Sequence, residues 1–146
     1  MKIYLDNCCY CRPYDGHAQN RVRQEARAVL DAVEFCKTAG HGIVGSPVVT
    51  KEMEKIRDGV KLEKVQKFYR NAANYRVATT PAIISRAQTF QAQGLKIADS
   101  YHLACAEAAD ADYLLTTDDD FERISAKMDL TVKVINPLNF LPEWRK

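Results

Sequence analysis

The feature that most constrains this chain is an alternation of period. Five brief apolar stretches, "KIYL" (2–5), "GIVGS" (42–46), "YRVA" (75–78), "YLLTT" (113–117) and "VKVI" (132–135), are each separated from the next by helical patterning. None of the five is joined to its neighbour by a two-residue hairpin signal. Strands that never meet through tight turns must pair in parallel, with helices crossing over the sheet faces. The expected fold is therefore α/β: a three-layer α/β/α sandwich around a five-stranded parallel sheet, Rossmann-like in type. The first long helical segment, "NRVRQEARAVLDAVEFCKTAG", places Val22, Ala26, Val29, Leu30, Val33 and Cys36 on one face, with Gly40 as its cap. "PVVTKEMEKI", "VKLEKVQKFYRNAANY", "TPAIISRAQTFQAQG", "IADSYHLACAEAADA" and "DDDFERISAKM" read as further helices. The threonine and proline that open the third of these suit a cap and a first helical position. The segment after "VKVI", with Pro137 and Pro142, reads as a tail.

At 146 residues the chain is expected to form a single domain, 1–146, large enough for a real core. Twenty-one basic against 19 acidic residues leave a formal charge of +2, so attraction to an anionic partner has to come from local patches. There is no basic-then-apolar leader and no apolar run near the ~20 residues of a membrane span. No membrane association and a cytoplasmic location are the expectation. Five cysteines, an odd number, fit reduced thiols.

Ligands of open parallel sheets gather beyond the carboxyl ends of the strands. Asp6 directly follows the first strand and Asp118 directly follows "YLLTT". Asp99 interrupts an apolar helix face formed by Ile97, Ala98, Leu103, Ala104 and Cys105, and Glu52 follows the second strand by one short helical segment. Four carboxylates in one pocket repel by about 3 kcal/mol per pair at about 5 Å and an effective dielectric of about 20. Such a cluster needs raised pKa values or a cation. An oxygen-only donor set suits a hard divalent ion, Mg²⁺ or Mn²⁺. The chemistry this implies is phosphodiester hydrolysis without a nucleophilic side chain.

"YLDNCCYCRP", "SPVVTKEMEK", "KIADSYHLACAEAADADYLLTTDDDF" and "VKVINP" together resemble the PIN-domain ribonucleases, in particular VapC-like toxins of type II toxin–antitoxin pairs. The resemblance runs in order over nearly the whole chain. It implies an endoribonuclease dependent on Mg²⁺ or Mn²⁺, with Asp6, Glu52, Asp99 and Asp118 as catalytic acids and Asp6, Asp99 and Asp118 as metal ligands. Asp120 is a candidate outer member. RNA as substrate and a small antitoxin as partner are implied with it, and a homodimer is a further option. The chain departs from the pattern after the first aspartate: relatives often carry a hydroxyl residue there, and this chain has Asn7, Cys8 and Cys9.

Each acid also has a plainer role open to it. Asp6 fits a solvated turn, Glu52 sits among Lys51, Glu54 and Lys55 as on a wet helix face, and Asp118, Asp119 and Asp120 suit a helix cap. His102 reads as a hydrogen-bonded, half-buried histidine. Cys8 and Cys11 have C-x-x-C spacing but no second pair for zinc, and the segment through Arg12, Pro13, Asp15 and Gly16 reads as loop. Gly40, Gly42 and Gly45 match G-x-G-x-x-G but follow a helix and enter a strand, the reverse of a dinucleotide site. Lys61, Lys64, Lys67 and Arg70 recur every three residues and are expected along one side of a helix, with Arg12, Arg21, Arg23, Lys55 and Lys96 as a wider basic rim for RNA; Tyr10 and Tyr14 are candidate base platforms. The competing functions are a signalling receiver, which would need paired acids after the first strand, and a non-catalytic PIN-fold module that binds RNA or protein.

Overall fold

The computed structural model of the protein describes residues 1–145. Strand β1 (Lys2–Leu5) leads through helix α1 (Asn7–Cys11) and a 3₁₀ turn (Arg12–Tyr14) to α2 (Asn20–Ala39). Then come β2 (Gly42–Gly45), α3 (Pro47–Met53), α4 (Gly59–Ala72), β3 (Tyr75–Arg76), α5 (Pro81–Ala92) and α6 (Ile97–Ala108). β4 (Tyr113–Leu115), α7 (Asp119–Ser125), β5 (Lys133–Ile135) and α8 (Pro137–Trp144) complete the chain. The five strands form one wholly parallel sheet in the order β3-β2-β1-β4-β5, the α/β architecture that the alternation demands.

β1 lies at the centre, and the winding reverses between it and β4. The crevice at such a reversal is where an open parallel sheet exposes its strand ends to a ligand. Ile3, Tyr4, Leu5, Ile43, Val44, Leu114 and Leu115 are all fully buried, because both sheet faces are covered by helices. Gly40 takes φ +75 and ends α2 as the spacing predicts. Thr80 caps α5 through the Ile83 amide, with Pro81 at the first position. No helix among the described residues is long and apolar enough to cross a membrane.

Several local expectations are corrected. The segment through Arg12, Pro13, Asp15 and Gly16, expected as loop, holds a 3₁₀ turn at Arg12–Tyr14, and Asn7–Cys11 before it is helical because the Asp6 side chain accepts the Cys9 amide and caps it. The tail is also helical. Asn136 caps it through the Leu138 amide, Pro137 occupies a position whose N–H has no helical partner, and Phe140 is buried. On α2, Leu30 is 41% exposed, since it lies 100° around the helix from buried Val29. Glu25 is buried in its place. Its carboxylate accepts from Arg12 Nε (3.0 Å), Arg21 Nε (3.2 Å) and Asn136 Nδ2 (2.7 Å), fastening α2 to the 3₁₀ turn and to the start of α8. Ile97, expected on a buried face, is 68% exposed.

Candidate active site

β1 and β4 are adjacent, so the residues just beyond them meet. The Asp6 amide bonds the Leu115 carbonyl at 3.2 Å, which carries the ladder one residue past β1. Asp6 is 5% exposed, and both of its carboxylate oxygens are engaged. Oδ1 accepts from the Cys9 amide and from the Cys8 thiol; Oδ2 accepts from the Thr116 hydroxyl at 2.6 Å. Thr116 Oγ1 in turn accepts the Asp118 amide at 3.1 Å. One hydroxyl on the neighbouring strand therefore ties the first acid to the last. Asp6 thus receives a hydroxyl hydrogen bond from Thr116 on the neighbouring strand, with Asn7 at the position after it. The Asp6 carboxyl is held well above the usual range, first by burial and then by the Cys8 charge.

Asp118 is both a cap and a candidate ligand. Its Oδ1 accepts the Asp120 amide (2.9 Å) and the Phe121 amide (3.3 Å), opening α7, while Oδ2 lies 4.0 Å from Lys96 Nζ. Asp99 lies in the first turn of α6, half-buried, and no group among the described residues donates a hydrogen bond to it. Its pKa is pushed up to about 6, first by burial and next by the negative charges of Asp6 and then Asp118. Three acids from separate parts of the chain thus feel one another, and Asp99, to which no described group donates, has only His102 and Lys96 acting in the opposite sense.

Glu52 enters differently. His102, 1% exposed, bonds Glu52 through Nε2 and the Tyr4 hydroxyl through Nδ1 at 2.7 Å. The Tyr4 hydroxyl is also 2.6 Å from Ser46 Oγ. Burial pushes the Glu52 carboxyl up, but the His102 hydrogen bond and charge, with Lys55, leave it below its ordinary value. His102 also acts on Asp6 and Asp99 by charge. The hydrogen-bonded histidine expected from the sequence is therefore buried completely, and its link to Glu52 had no signal in the spacing of residues 52 and 102.

The remaining candidates fall outside this group. Asp119 forms a two-bond pair with Arg21 (2.9 and 2.6 Å), and Asp120 pairs with Arg123 at 2.9 Å on the exposed side of α7. Arg12 is spent on Asp15 and Glu25, and Lys61 on Asp15 at 2.7 Å. The basic series on α4 is no single stripe: a step of three residues turns 60° short of a full turn, so Arg70 faces opposite Lys61. Tyr10 is wholly buried between Phe68 and Tyr69 and offers no face to a base; Tyr14 stands edge-on to Phe68.

All five cysteines are free thiols, and Cys36 and Cys105 are buried in the core as expected. Donor atoms of Asp6, Cys8 and Cys9 lie within 4.8 Å of one another, a group that could hold a cation. Cys9 is fully buried with its thiol bonded to the Leu115 carbonyl (3.2 Å), and burial holds it far up, so it is a poor source of thiolate. Asp6, Asp99 and Asp118 do not meet as a set of three within that distance; they act on one another by charge, and as oxygen donors they are the harder group.

The profile of one family, described as PIN domain, matches residues 15–127, a span that includes Glu52, Asp99 and Asp118 and begins after Asp6. No curated protein matches the chain. Among solved structures, VapBC2 from Rickettsia felis, crystallised with a DNA fragment from its promoter, aligns with TM-score 0.61 and 15% identity over 93% of this chain and 98% of that one. VapBC-5 from Mycobacterium tuberculosis, a member of the VapBC family of toxin–antitoxin systems, aligns with TM-score 0.56 and 11% identity over 92% and 98%. At these identities the likeness is one of fold.

Proposed function

The chain belongs to the PIN-domain family, and from that premise we propose that it is a divalent-metal-dependent endoribonuclease, the toxin of a toxin–antitoxin pair. The observation that carries the reading is Asp99: a half-buried carboxylate without a donor, raised to about 6 by burial and by Asp6 and Asp118. A protein maintains such a group at a cost in stability, and a bound cation offsets it.

The donor set fits a hard ion. Asp6, Asp99 and Asp118 would hold it through oxygen. When bound, such an ion lowers the pKa of a water and offsets charge on a phosphodiester. The chain's own residues do the positioning. Thr116 and the Cys9 amide fix Asp6, and the α7 amides fix Asp118 by one oxygen and leave the other turned toward Lys96. His102 keeps Glu52 ionised and immobile, suited to accepting a proton from the attacking water. The antitoxin partner is inferred from the likeness to VapBC2 and to VapBC-5, the latter a member of a family of toxin–antitoxin systems.

Purified protein given a mixed single-stranded RNA with Mn²⁺ or Mg²⁺ is expected to cleave it, to stop when EDTA is added, and to lose at least a hundredfold in rate as Asp6→Asn or Asp99→Asn. Cleavage that persists in both variants, or that ignores the chelator, overturns the assignment. A protein that binds RNA but turns over under no divalent ion is the non-catalytic module.

A further inference from the structure

The carboxyl ends of β2 and β3 border a groove that meets the proposed site only at Glu52. One part, of about 680 Å³, is lined by Ser46, Thr50, Lys51, Tyr69 and Arg76. A second, of about 810 Å³, is lined by Lys51, Glu52, Ile84, Ile97, Ala98 and Tyr101. Lys51 and Pro47 belong to both, so the two parts join along α3. The groove therefore runs from Arg76 to Glu52 and to the neighbour of Asp99.

Arg76 is held in an uncommon way. Its guanidinium lies 4.9 Å from the Tyr69 ring centroid, and Nη1 donates to the Tyr69 hydroxyl at 2.9 Å. That hydroxyl donates to the Ser46 carbonyl at 3.4 Å. The arrangement depends on Gly45: a Cβ there would stand 2.4 Å from the Tyr69 oxygen. Five other arginines, Arg12, Arg21, Arg27, Arg86 and Arg123, pair with carboxylates. Among the described residues Arg76, Lys51 and Lys55 of the groove pair with none, as do Arg57 and Arg70 elsewhere, and Arg76 differs from these in being fixed by a side-chain bond. A fixed, unpaired guanidinium with most of its N–H groups free is arranged for an external anion.

We propose that this groove seats single-stranded RNA, with Arg76 and Lys51 each holding a backbone phosphate of a strand that continues past Glu52 to the acids. The proposal rests on the nuclease reading for its choice of polyanion. Ile97 and Ile84, 68% and 39% exposed, give the lower part an apolar floor for unstacked bases, which a duplex keeps hidden. Glu54, also on the upper wall, is the one carboxylate facing the phosphates there, and it sets a limit on affinity. An acidic peptide suits the groove less well, because its lower end meets Glu52 with no scissile group to deliver.

The test is fluorescence anisotropy of a labelled 12-nucleotide single-stranded RNA in EDTA, across a salt series, for wild type, Arg76→Gln, Lys51→Gln, the double variant, Glu54→Gln, and Lys37→Gln on exposed α2 as control. Both groove cations are on the surface, and thermal melts check that the variants are folded. Each groove substitution is expected to weaken binding several-fold and to lower the slope of log K against log salt by about 0.7, the double variant by about 1.4; Glu54→Gln tightens binding and Lys37→Gln changes nothing. Wild-type slopes in the double variant overturn the proposal. So does equal loss of a matched double-stranded RNA, or oligo-glutamate that binds the groove in preference to RNA. Parallel cleavage assays with Mn²⁺ separate the two readings. Turnover with unchanged slopes removes the groove alone, whereas reduced slopes without turnover remove the nuclease and support the groove.

Discussion

His102 Nε2 is hydrogen-bonded to Glu52, and that bond joins a fully buried imidazole to an acid at the rim of the site. The other ring nitrogen is committed to Tyr4, which sits on the central strand. The acid on short helix α3 is thereby positioned from the sheet rather than by its own helix.

His102→Ala should remove that support and leave the Tyr4 hydroxyl and Glu52 short of a partner. Cleavage is expected to fall by about 10–100-fold, the range seen when groups that orient a site's ligands are lost. Tyr4 keeps Ser46 and Glu52 keeps contact with solvent, so stability should fall by roughly 1–3 kcal/mol in all. His102→Gln, which can still donate, should recover stability better than rate. Denaturant melts and single-turnover kinetics give the two numbers; equal recovery of both would show that His102 acts only through folding.

The raised Asp99 carboxyl makes a prediction about pH. A carboxyl whose folded pKa lies near 6 rather than 3.8 holds its proton more tightly in the folded chain. Folding then takes up a proton between those values, and the stability this group contributes is lost as pH rises through the window. In EDTA, Asp99→Asn should melt higher than wild type at pH 7, with the gap closing near pH 4. Melting temperatures across that range check it, and a lower melting point for the variant at pH 7 contradicts the reading.

Cation affinity should follow the same proton. Below about pH 6 a bound ion has to displace it, so the apparent Kd for Mn²⁺ should rise by up to about tenfold per pH unit. Titration calorimetry at pH 5, 6 and 7 measures this. Asp99→Asn is expected to bind weakly at every pH.

Thr116→Val keeps the shape of the side chain and removes the hydroxyl shared by Asp6 and Asp118. Asp6 Oδ2 loses a 2.6 Å donor and the Asp118 amide loses its acceptor. A loss of about 2 kcal/mol in stability, together with weaker Mn²⁺ binding, is expected from chemical denaturation and calorimetry. Thr116→Ser should restore both.

Glu25 is predicted to be structural. It is wholly buried and accepts from Arg12, Arg21 and Asn136. Glu25→Ala leaves Arg12 with Asp15 and Arg21 with Asp119 but takes the acceptor from buried Asn136, and a loss of about 1–3 kcal/mol is expected from denaturant melts. Mn²⁺ affinity of the folded fraction should be unchanged.

By itself the sequence determined the strand–helix alternation, and with it a parallel sheet, because apolar period and the absence of hairpin turns are local properties. It also marked Asp6 and Asp118, since a residue that ends one strand lies beside the residue that ends its neighbour. Asp99 stood out as a charge within an apolar helix face. Only the tertiary structure decided what those acids touch. Thr116 reaches Asp6 from the neighbouring strand, His102 reaches Glu52 from 50 residues away, and Arg12, Arg21 and Lys61 turn to carboxylates instead of forming a rim. Those partnerships depend on strand order and helix rotation. A hydrogen bond is fixed within a few tenths of an ångström, whereas sequence periodicity fixes a side chain only to a face.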